Sequence, residues 1–67
     1  MDIKQLLTSA ITDQDSRGIR RLLNDAVELQ AVTASVATKL GYLADVMYTG
    51  SYDVRTSAAA AALALVK

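Results

Sequence analysis

The stretch IRRLLNDAVELQAVTASVATKLGYLADVM, residues 19–47, decides how this chain folds. Ile19, Leu22, Ala26, Leu29, Thr33, Val36, Leu40, Leu43 and Met47 recur at alternating steps of three and four, the spacing that gathers side chains on one stripe of an α-helix. Sustained over this length, it reads as the heptad seam of a coiled coil with one polar member, Thr33. A second stripe runs beside it: Val27, Ala31, Ala34, Ala37, Gly41 and Ala44. These mostly small side chains let another backbone approach closely, so the helix is expected to be covered from two sides. The reading is one long central helix over residues 16–48. Lys39-Leu40-Gly41-Tyr42 has the makings of a helix C-terminus, with Lys in the last turn and Gly at the left-handed cap position. Gly41 is therefore the expected place of any break, while the unbroken phase to Met47 argues for continuity.

Outward from this element, helix signals persist in both directions. Ile3, Leu6, Leu7, Ala10 and Ile11 share one helical face, so a helix is expected over residues 3–12. Asp2 can cap it, and the polar run Thr12-Asp13-Gln14-Asp15-Ser16 ends it. Thr49-Gly50-Ser51 marks a turn, and Ser51 or Asp53 then caps a last helix over residues 52–66, whose Ala-rich sequence has high intrinsic helix propensity. Val54, Ala58, Ala61 and Leu65 form one face of that helix, broadened by Ala62 and Leu63. No segment alternates apolar and polar residues as a strand does, and Pro is absent. The fold class is all-α: a small helical hairpin or three-to-four-helix protein, one domain over 1–67, with its packing completed by other chains.

The need for other chains follows from composition. Of the apolar residues, 12 are Ala and only 20 are Leu, Ile, Val or Met, with three Tyr and no Phe or Trp. A chain of this length buries only about 60% of the surface its unfolded form exposes, less than larger domains do, and small proteins usually compensate with disulfides, metals or association. Cys and His are both absent, so association is the remedy expected here. Seven basic and seven acidic residues leave no net charge to attract nucleic acid or an anionic membrane. The longest apolar run, Ala58 to Val66, is nine residues, where about 20 are needed to span a bilayer. The first residues lack the pattern of a signal peptide, so a cytoplasmic place of synthesis is expected.

Each chemical motif reads better as structure. Ser35 and Lys39 lie one turn apart, but without His or Cys they lack the partners and pocket that nucleophilic catalysis needs. Asp13-Gln14-Asp15-Ser16-Arg17-Gly18 opens like a calcium loop, then places Arg17 where an oxygen ligand belongs and Asn24 where a bidentate Glu belongs. An acidic helix cap is the better reading. Ala37 to Gly41 has the spacing of a helix-turn-helix, yet the segment after it carries Asp45 and no Lys or Arg to grip phosphate. Tyr42, Tyr48 and Tyr52 suit an interface edge or a helix junction equally.

No catalytic, metal-binding or cofactor-binding residue is expected, and no small-molecule substrate. The residues expected to meet another protein chain are Leu29, Ala34, Val36, Ala37, Gly41 and Leu43 on the central helix, and Ala58, Ala61, Ala62 and Leu65 on the last. Arg17, Arg20 and Arg21 form a candidate charged contact, since the planar guanidinium pairs well with carboxylates. The function these features suggest is that of a non-enzymatic structural subunit in a homo-oligomer or other helical assembly, such as a filament, virion or secretion-type appendage. The alternatives are a small chaperone or adaptor for another helical protein, and an antitoxin-type regulator.

Overall fold

The computed structural model describes residues 2–66, so positions 1 and 67 of the expected domain lie outside the described residues. Within them the chain is all-α, with α1 at Ile3–Thr12, α2 at Ser16–Glu28, α3 at Ala34–Thr49 and α4 at Tyr52–Val66. Asp2 opens α1 as expected, its Oδ1 accepting the Lys4 N–H at 3.1 Å. Asp15 opens α2 by accepting from the Gly18 N–H at 3.0 Å. Ser16 is already helical, so the acidic stretch is a cap and forms no calcium-type loop. The Ser51 carbonyl accepts the Arg55 N–H at 2.8 Å to start α4, and Asp53 sits in its first turn, where a negative charge complements the helix dipole.

The expected long central helix is two helices. The chain is continuously helical through Gly41 and breaks instead at residues 29–33. The cause is local. Gln30 takes a left-handed φ of 59°, the Gln30 N–H donates to the Val27 carbonyl at 3.0 Å, and the Ala31 N–H donates to the Ala26 carbonyl at 2.8 Å. These are the two hydrogen bonds of a Schellman motif, which satisfies the last carbonyls of a helix and turns the chain away. Thr33, read as a polar seam member, is the N-cap of α3, its hydroxyl accepting from the Val36 N–H at 3.2 Å. The same motif ends α1: Gln14 has φ 55°, and Asp15 donates to Ala10 at 2.8 Å.

Folded at this turn, the seam still faces inward on both halves. Ile19 and Ala26 of α2 and Leu40 and Met47 of α3 are buried, with Leu22, Val36 and Leu43 half-buried beside them. Leu29 and Thr33, the two members at the turn, are exposed. What looked like the stripe of a coiled coil is thus the inner face of a helical hairpin. Each helix packs on two others, α1 on α2 and α4, α2 on α3, and α3 on α4, closing a ring around a shared core. The core joins Leu7 and Ile11 of α1 to Ile19, Leu40 and Met47, with Ala58, Ala59, Ala62 and Val66 filling from α4. No polar or charged residue is fully buried among those described.

Candidate protein-protein interface

Three surfaces of this ring have the character of contact sites. One is a groove of about 420 Å³ between α3 and α4, lined by Tyr42, Leu43, Val46, Asp53, Val54, Ser57, Ala58 and Ala61. Late α3 faces early α4 across it, as expected for antiparallel neighbours joined by the two residues Gly50 and Ser51. Tyr42 is 69% exposed and Val54 47%, so two large apolar bodies stand at its rim. From Thr56 to Val66 α4 carries no charged residue, and its outward side presents Ala60, Ala61 and Ala64.

The second surface is a groove of about 270 Å³ between α1 and α2, lined by Ile3, Leu6, Asp25, Glu28 and Leu29. Leu29 is 68% exposed there, beside two carboxylates. The third is the outer face of α2. Arg20 forms an ion pair with Asp45 that ties α2 to α3. Such an exposed pair contributes about 0.2–1 kcal/mol. Arg17 and Arg21 are exposed on the same helix, so of the three arginines expected to reach another chain, Arg20 is engaged by its own chain.

The other expected contact residues divide by depth. Leu29, Ala34 and Ala61 are exposed, and Val36, Ala37, Gly41, Leu43 and Leu65 are half-buried. Ala58 and Ala62 lie within the chain's own core, because α4 packs on both α1 and α3. The small-residue stripe also reads differently in place. A Cβ built at Gly41 would meet only the Leu23 Cδ1, at 3.8 Å, so no backbone presses on that position. Ser35 and Lys39 are both exposed on α3. No protein family, characterised protein or solved structure matches this chain at a significant level. No helix among the described residues is long and apolar enough to cross a membrane.

Five groove residues, Tyr42, Val46, Asp53, Val54 and Ser57, were absent from the expected contact set, and for Val46 and Val54 the sequence carried the signal. Val46 follows Tyr42 and Leu43 by four and three residues on one helical stripe, and Val54 heads the apolar face of α4. Arg55 could not be found that way. It is half-buried, and its Nε is enclosed with no hydrogen-bond partner among the described residues, a condition set by tertiary packing.

Proposed function

We propose that this chain is a non-enzymatic structural subunit, made in the cytoplasm, that works by packing its helices against other protein chains in a homo-oligomeric or filament-, virion- or appendage-type assembly. The observation that carries this reading is the α3–α4 face: an apolar groove rimmed by exposed Tyr42 and Val54 and continued by an outward α4 side free of charge. Apolar surface of this kind is stabilised by removal from water, and its concentration on one side of a protein marks a contact site. Aromatic residues such as Tyr42 supply much of the energy at protein interfaces. The neutral balance of seven basic and seven acidic residues lets copies approach without mutual repulsion.

A second reading has its own support. A furrow between two antiparallel helices also accepts a single amphipathic helix, the mode by which a small adaptor or chaperone holds a helical partner. Sedimentation velocity with light scattering over a concentration series tests both. The structural-subunit reading expects association that grows with concentration. A parent chain that remains monomeric at every concentration overturns it and leaves the adaptor reading standing.

A further inference from the structure

We infer that the α3–α4 groove is the docking site for a second copy of this chain, seated antiparallel across a two-fold axis perpendicular to the groove. This deepens the structural-subunit reading and rests on it. Charge is distributed unevenly along the groove. Its middle is apolar, formed by Tyr42, Leu43, Val46, Val54 and Ala61. One end is acidic, because Asp53 lines it. Lys39 stands toward the other end. It precedes Leu43 by four residues and Val46 by seven, which places it on the same stripe of α3, and it is exposed.

Asp45, the remaining charge on this part of α3, is held by Arg20 of α2. The groove therefore carries a carboxylate at one end, with Lys39 one turn beyond Leu43 on the same stripe of α3, outside the lining, and no charge among the lining residues between them. A face of this kind is complementary to itself in one sense only. Two copies laid parallel would set Asp53 beside Asp53 and Lys39 beside Lys39. Two copies laid antiparallel bring each Asp53 level with the partner's Lys39 and stack the apolar middles on each other. That is the self-complementarity of an isologous two-fold contact, in which the same patch serves both subunits. Electrostatic matching sets the register while the apolar middle supplies the affinity. The outer face of α2 lacks such a middle, since Arg17, Arg21, Asp25 and Glu28 occupy it.

Sedimentation velocity on the full chain, comparing the parent with Lys39→Asp, Asp53→Lys and the double swap, tests the pairing. Both positions are exposed, and circular dichroism checks that each variant keeps its helices. Each single swap turns two attractive contacts per dimer into repulsive ones, so dimerisation is expected to weaken at least about tenfold, and the double swap is expected to return to near the parent. Should Asp53→Lys disturb the start of α4, Ala61→Arg replaces it, blocking the apolar middle with the same expected loss. A parent that dimerises while the single swaps dimerise equally well overturns this pairing and leaves the wider reading intact. A double swap no better than the singles overturns the antiparallel register. A parent that is monomeric throughout overturns both the pairing and the structural-subunit reading.

Discussion

Gly41 and Gly50 are indistinguishable as letters, yet packing gives them opposite roles. A Cβ at Gly50 would fall 2.6 Å from the Val46 carbonyl oxygen and 2.9 Å from the Val54 Cγ1. One of those neighbours is backbone and cannot yield, so the tight passage from α3 to α4 requires glycine. Gly50→Ala is expected to cost about 1–3 kcal/mol through overpacking. Gly41 sits inside a continuous helix with ordinary space around it. There glycine adds only freedom to the unfolded chain, and Gly41→Ala is expected to stabilise the protein by about 0.5–1 kcal/mol. Urea unfolding of the two variants checks this directly: the midpoint should rise for Gly41→Ala and fall for Gly50→Ala. A fall for both would mean that α3 is more tightly approached at Gly41 than the structure shows.

At the scale of elements, the starts of α1 and α4, the acidic caps at Asp2 and before α2, and the turn at Gly50 were legible because each rests on local chemistry with a familiar residue in place. The turn between α2 and α3 was not. Helix stops are ordinarily read from Gly or Pro, and here the left-handed position belongs to Gln30, with another glutamine, Gln14, doing the same at the end of α1. The apolar phase also survives the turn, because each half of the seam faces the same core from its own helix. The signal that was present, Thr33 as a polar residue interrupting the seam, was equally consistent with a polar seam position. Of the candidate contact residues, the exposed ones could be proposed from periodicity, whereas the burial of Ala58 and Ala62 depends on α1 reaching α4, a contact between the two ends of the described chain. Two outcomes follow. Thr33→Ala removes a side-chain cap and is expected to cost about 0.5–2 kcal/mol. Leu29→Asp, which would unfold a protein with a buried Leu29, is expected to keep its helical circular dichroism spectrum with only a modest fall in melting temperature, since this side chain is 68% exposed and the new charge sits at the negative end of α2 beside Asp25 and Glu28. A collapse of the fold in Leu29→Asp would restore the single long helix.

At the scale of the whole molecule, the neighbouring alanines Ala61 and Ala62 separate folding from association. Stability of about 0.05–0.15 kcal/mol per residue gives a chain of 67 residues roughly 3–10 kcal/mol in all. Ala62 is fully buried in the core that α4 shares with α1 and α3. A carboxylate placed there would be taken out of water at a position where no fully buried polar residue stands among those described. Burying such a group costs several kcal/mol, a large part of what the chain has. Ala62→Glu is therefore expected to lose its helical signal or melt far below the parent. Ala61 lines the groove and is exposed to water. Ala61→Glu exchanges one good helix former for another on a solvated side, so helicity and melting temperature are expected to stay close to those of the parent. Its effect should appear only between chains, where a charge set into the apolar middle of the groove weakens association by at least about tenfold. Circular dichroism and sedimentation velocity on the same two samples measure both effects. An Ala61→Glu protein that is folded and associates like the parent shows that the groove is not the contact. If Ala62→Glu is equally stable, the closure of the ring by α4 is wrong, and the core of this protein lies elsewhere.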